Sequence, residues 1–357
     1  MLNISHKMMP LVKACPTLPA SPQRQGWRGK EGHDVMNKAL VLIIPDVNLQ
    51  LFMKQEMPHF KIGTRFADGK KVASEIVTLL HESNIPISYA DKYNPSRFYL
   101  RNGSHYINLE EVMEKNDLKD SSQIKPAMLA TAPKKQNIFN TVFEYYGKVL
   151  SQLRQIKKAE DQNGFASKEA LDELAFLMGI LSHFTTDSFQ PLHLTKDHTQ
   201  ILNYNLDLHK LIESLMSRFQ NNLFITEFKE NSETYKKEIL TLDNWELRNL
   251  FAEHISKSYK EVQRIYDVVD EAKDKAIKSE DRSPFLNYYQ FLHGKLTNHT
   301  YIPSYMEKAT IFTARMLYSL FKMADRPHLL GKDALERKTL LPIIKEDPDL
   351  TLPDLQF

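Results

Sequence analysis

One cysteine, Cys15, is the only thiol the 357 residues offer, so an intrachain disulfide and a thiolate metal cluster are both excluded. Any metal must therefore be held by nitrogen and oxygen. Apolar runs are short: none approaches the roughly 18 residues of a membrane-spanning helix. Glycine is scarce, at 11 residues, and no stretch sustains the apolar–polar alternation of a strand, so the chain reads as all-α, a single multi-helix domain. Net charge is nearly absent as well. Forty-seven basic residues against 45 acidic ones leave +2, which supplies no electrostatic footprint for a nonspecific duplex binder. What remains is an ordinary globular composition, 42% hydrophobic and 26% charged, on a chain long enough for a substantial core.

The ends differ from the middle. Residues 1–26 carry Pro10, Pro16, Pro19 and Pro22 among polar fillers, the pattern of a disordered leader or a cleaved segment. Their MMPLVKACPTLPA stretch is too broken by proline to make a well-formed export signal. An ordered domain is expected over 27–325. The remaining 326–357 hold Pro327, Pro342, Pro348 and Pro353 among charges and read as a surface-running or mobile tail. Within the domain, helical spacing predicts helices over 34–44, 48–56, 70–82, 138–157, 206–219, 244–277 and 303–324. Residues 86–108 form a long irregular stretch of the kind that often carries function, and 109–135 read as mostly surface loop.

The chain is organised around Leu174 to His193, LAFLMGILSHFTTDSFQPLH. Ser167 and Glu169 provide a cap and a first-turn carboxylate for a helix that is apolar on nearly every side. Such a helix should be buried. His183 and Asp187 stand four apart on it and share a face, so both can reach one cation, although a satisfied core hydrogen bond would explain the pair equally well. Pro191 ends the helix, leaving His193 just past the turn and able to fold back. Further along, His209 and Glu213 repeat the four-residue spacing. With His33, Asp91 and His105 these make eight hard or borderline ligands, too many for one tetrahedral site and suited to two or three cations. His198 is a competing ligand, whereas His59, His254 and His293 read as ordinary surface or core residues.

Four separated motifs, in order, carry a resemblance. HFTTDSFQPLH at 183–193 fits His-x3-Asp-x2-Gln-Pro-Leu-His; YAD at 89–91 precedes HYIN at 105–108; LHKLIE spans 208–213; WRGKEGH spans 27–33. Together they resemble the superfamily uniting zinc-dependent phospholipases C with the single-strand-specific zinc nucleases. The resemblance implies an all-α domain built around a trinuclear zinc cluster. One zinc would take Asp91, His105, His183 and Asp187, a second His193, His209 and Glu213, and a third Trp27 and His33 with Asp187 shared. If residues 1–26 stay attached, the α-amino group that Trp27 would use is lost and two zincs are implied.

The implied activity is phosphodiester hydrolysis by a metal-bridging hydroxide, with Asp91 also a candidate general base. Glu213 as the last acid, and the lack of the nucleases' disulfides, match the lipases better and imply a phospholipid or membrane-surface partner. Single-stranded nucleic acid is the alternative substrate, and a noncatalytic helical metal-binding protein is a third reading. Lys92, Tyr106 and Asn108 are the candidate substrate contacts: Lys92 stands where a choline-binding tyrosine is found, and Asn108 where the nucleases place a base-binding acid. Export is implied by the family, and no protein partner is evident.

Overall fold

The computed structural model describes residues 29–67, 77, 80–81, 85, 105–120, 123–130, 137–197, 201–202, 206–216, 223–277, 284–298 and 301–330. Among them the fold is all-α. The helices are α1 (Gly29–Ile43), α2 (Val47–Gln55), α3 (Met57–Phe66), α4 (Leu109–Lys115), α5 (Ile124–Ala130), α6 (Ile138–Asn163) and α7 (Lys168–Asp187). They continue with α8 (Leu208–Met216), α9 (Leu223–Glu230), α10 (Ser232–Glu238), α11 (Asn244–Ile277), α12 (Pro284–Leu296) and α13 (Ile302–Met323). A 3-10 turn covers Pro191–Leu194, and two short antiparallel strands, Ile201–Leu202 and Leu206–Asp207, lead into α8. No described helix is long and apolar enough to cross a membrane.

The central helix is α7. Its N-cap Ser167 accepts a hydrogen bond from the Ala170 amide at 3.3 Å, which satisfies one of the first-turn donors that a helix leaves open. The preceding α6 stops at Gly164, whose φ of +80° is a left-handed conformation that costs glycine little, and whose amide closes onto the Glu160 carbonyl at 2.7 Å. The chain then doubles back, and every residue from Leu174 to Thr195 is buried. Helices α1, α3, α6 and α13 surround α7.

The tightest crossing is between α3 and α7. A Cβ on Gly63 would sit 2.0 Å from the Phe176 carbonyl oxygen, and one on Gly179 would sit 2.0 Å from that of Phe60. Only glycine permits backbones this close. A buried polar chain reinforces the arrangement: Ser182 Oγ donates to Asn37 Oδ1 at 2.8 Å, Asn37 Nδ2 to Thr64 Oγ1 at 3.0 Å, and Thr64 Oγ1 to the Phe60 carbonyl at 3.0 Å. It ties α1, α3 and α7 together one turn from His33 and one residue from His183.

Several sequence expectations need correction. Residues 109–135 are not mainly loop: α4 and α5 lie there, α4 capped by Asn108. Both helices are seven residues long, too short to show a clear periodicity. The tail is not wholly surface-running, because Leu329 and Leu330 are 1% and 5% exposed. Helix α8 starts at Leu208, with Leu206 and Asp207 spent on the strand pair. Of the helix expected over 70–82, Val77, Leu80 and His81 are described and helical. Trp27, Asp91, Lys92 and His198 lie outside the described residues.

Candidate metal centre

The last two turns of α7 supply His183 and Asp187, the second turn of α1 supplies His33, and the 3-10 turn brings His193 back over the end of α7. Backbone pairing adds His105. The Ile107 amide donates to the His193 carbonyl at 2.9 Å, while His193 Nδ1 donates to the His105 carbonyl at 2.8 Å, so the 105–108 segment is clamped across the turn. Helix α8 contributes His209 and Glu213 on one face.

Asp187 is the hub. Its Oδ1 lies 3.2 Å from His33 Nε2, and its Oδ2 lies 3.0 Å from His105 Nδ1, 3.1 Å from His183 Nε2 and 3.8 Å from His193 Nδ1. Glu213 Oε1 plays the same part on the other side, 2.6 Å from His209 Nε2 and 3.7 Å from His193 Nε2. His33, His183 and Asp187 form one group able to hold a cation, and His193, His209 and Glu213 another.

The opposite nitrogens of these rings decide what the near ones can do. His105 Nε2 is 2.8 Å from the Ala67 carbonyl, which can only accept, so Nε2 carries the proton. In a neutral ring Nδ1 then turns a lone pair toward Asp187. His193 is pinned the same way through Nδ1 and the His105 carbonyl, which leaves the Nε2 lone pair toward Glu213. Thr186 Oγ1 donates to the His183 carbonyl at 2.9 Å, so it accepts from His33 Nδ1 at 2.8 Å and turns the Nε2 lone pair of His33 toward Asp187. Three imidazole lone pairs thus face carboxylates, a repulsive arrangement that only a proton or a metal cation between them resolves. Metal-bound histidines are oriented in this manner, the far ring nitrogen donating to a fixed oxygen.

The spacing fits a cation. Bonds of about 2.1 Å place neighbouring ligands roughly 3.0 Å apart in an octahedron and 3.4 Å in a tetrahedron. The His33, His105 and His183 nitrogens lie 3.0–3.2 Å from Asp187 oxygens, and His183 Nε2 is 3.2 Å from His105 Nδ1. Electrostatics point the same way. Burial alone would raise the Asp187 carboxyl, yet with protons in place of a metal the charged His183 and His193 rings, and then His105, outweigh it and hold the group well below the usual range. Burial likewise opposes ionisation of Glu213, but His193 and His209 bring it down to about 2. His209 loses from burial and gains more from Glu213, ending above its ordinary value. Both acids are anionic at neutral pH.

No protein-family model matches this chain, and no curated protein does either.

Of the residues singled out in the sequence, His33, His105, His183, Asp187, His193, His209 and Glu213 converge here from five separate segments spanning 180 positions. Tyr106 stacks on His193 with ring centroids 4.9 Å apart and planes 11° from parallel, and lies 5.9 Å from the His209 ring. Asn108 accepts from the Glu111 amide at 2.9 Å as the α4 cap. Sequence reasoning passed over Thr186, Ala67 and the Asn37–Ser182 pair, which orient or carry the ligands. A hydroxyl directly before Asp187 was the one available signal. A third group of buried donors, Glu56, His59 and Asp172, lies toward the other end of α7, with His59 in the core.

Proposed function

We propose that the protein is a zinc-dependent phosphodiester hydrolase similar to the phospholipase C and single-strand zinc nuclease superfamily, with a glycerophospholipid as substrate. The observation that carries this reading is the meeting of seven motif residues in one centre with three imidazole lone pairs turned inward. Bound zinc would supply Lewis acidity and a water acidic enough to attack phosphorus at neutral pH.

The chain's own contribution is placement. Asp187 joins the two halves of the centre, being within reach of His33, His105, His183 and His193 together. Tyr106 fixes the His193 ring by stacking, and Phe184 packs 4.8 Å from the His105 ring, so these ligands cannot swing away or admit bulk water freely. Outside the described residues, Asp91 is proposed as a further ligand and general base, Trp27 as the ligand completing the His33 site, and Lys92 as a headgroup contact. Three zincs and export from the cell belong to the same proposal.

Lipid is favoured over nucleic acid by the net charge of +2 and by Glu213 as the final acid. The wording of GKEGH and HFTTDSFQPLH supports the nuclease or 3′-nucleotidase alternative. The test is release of diacylglycerol from mixed phospholipid vesicles by zinc-loaded protein beginning at Trp27, beside digestion of single-stranded DNA by the same preparation. Lipid cleavage alone is the expected result. DNA cleavage alone replaces the substrate assignment, and inactivity on both substrates overturns the hydrolase reading in favour of a noncatalytic metal protein.

A further inference from the structure

A second collection of ligating side chains sits away from the centre. Glu56 at the α2–α3 junction, His59 in the first turn of α3 and Asp172 in the second turn of α7 bring one donor atom each within 4.8 Å of one another. They are 3%, 6% and 2% exposed. His59 Nε2 is 3.5 Å from Asp172 Oδ1. Asp172 precedes His183 by eleven residues on one helix, which is roughly 16 Å along its axis. The group is thus separate from the Asp187 hub.

One cation is already present. The Lys168 ammonium donates to both Glu56 oxygens at 2.9 Å and also touches Asp172. Its side chain is 54% exposed, so the stem runs in from solvent while the carboxylates stay buried. Two carboxylates packed together in a low-dielectric interior are costly to keep charged unless positive charge lies beside them. A divalent ion in place of the ammonium would set two positive charges against the two carboxylates. One imidazole nitrogen and two carboxylates form a donor set that suits borderline divalent metals such as zinc or cobalt. Lys168 could retire into solvent without opening the core.

We propose that Glu56, His59 and Asp172 form a further site for a divalent cation, separate from the main centre, at which the Lys168 ammonium is the built-in competitor. A metal there clamps the α2–α3 corner to the helix carrying His183 and Asp187. The proposal does not depend on the reaction the main centre performs.

The test is to count zinc and cobalt equivalents bound to the full chain by equilibrium dialysis, in the parent, in His59→Ala and in Lys168→Met. His59→Ala is expected to bind one equivalent fewer at saturation, with any hydrolase activity unchanged. Lys168→Met removes the competitor at a half-exposed position and is expected to bind the weakest equivalent at least tenfold more tightly. Equal stoichiometry in the parent and a folded His59→Ala overturns the proposal, as does an unchanged affinity in Lys168→Met. Should His59→Ala lose its helical circular dichroism, the Lys168→Met titration decides alone, because misfolding cannot produce a gain in affinity.

Discussion

Replacing Asp187 with Asn tests the centre most directly. The change keeps the shape of the side chain and removes the charge that faces His33, His105, His183 and His193 at 3.0–3.8 Å. In the His33–His183–Asp187 group it deletes the only anionic donor. Removing a residue that merely orients a ligand costs about 10–100-fold in metal affinity, so losing the carboxylate itself should cost at least about 100-fold. Binding to the folded state alone stabilises by RT ln(1 + [L]/Kd). At free zinc a thousand times the parent's Kd this is about 4.1 kcal/mol, and for a hundredfold weaker site it is about 1.4 kcal/mol. The difference, about 2.7 kcal/mol, corresponds to a loss of roughly 5 °C from the zinc-induced rise in Tm. The assay is thermal unfolding by circular dichroism of parent and Asp187→Asn, each with chelator and with buffered free zinc. The zinc-dependent increment is compared, so any change in metal-free stability cancels. An increment in the variant equal to the parent's, within about 1 °C, would refute the assignment of Asp187 as a ligand.

Three further outcomes are expected. Thr186→Val removes the hydroxyl that holds His33 Nδ1 and should weaken zinc binding about 10–100-fold by equilibrium dialysis while leaving helix content unchanged. Gly63→Ala places a methyl 2.0 Å from the Phe176 carbonyl and must prise α3 from α7; a denaturant midpoint showing less than about 1 kcal/mol of destabilisation would contradict the close crossing. His254, packed 5.1 Å from Phe189 and 5.3 Å from Phe312, is lowered to about 4 by burial and by Lys257. Between pH 6.5 and 4 the unfolded chain therefore binds more protons than the folded one, and stability falls as pH drops, by roughly 3 kcal/mol across that window. His254→Phe should abolish that part of the acid sensitivity in urea titrations run at several pH values.

Sequence alone determined what depends on local order. The buried helix ending at Asp187, its Ser167 cap, the exit at Pro191 and the i,i+4 pairs His183–Asp187 and His209–Glu213 all follow from composition and spacing, because helical period and proline chemistry act within a turn or two. So did the all-α class. Short helices such as α4 and α5 escaped because seven residues barely define a period, and the buried Leu329 and Leu330 because two apolar residues among prolines and charges give no pattern. Tertiary structure decided everything that needs two distant segments at once. The clamp between Ile107 and His193, the carbonyl of Ala67 that fixes the His105 tautomer, and the Gly63–Gly179 approach that lets α3 lie against α7 join residues whose separation in sequence runs from 38 to 116 positions. So does the meeting of His59 with Asp172. No local propensity reports such pairs, since their partners are chosen by packing. The sequence named most of the candidate ligands, and the packing set which nitrogen of each ring faces the carboxylates.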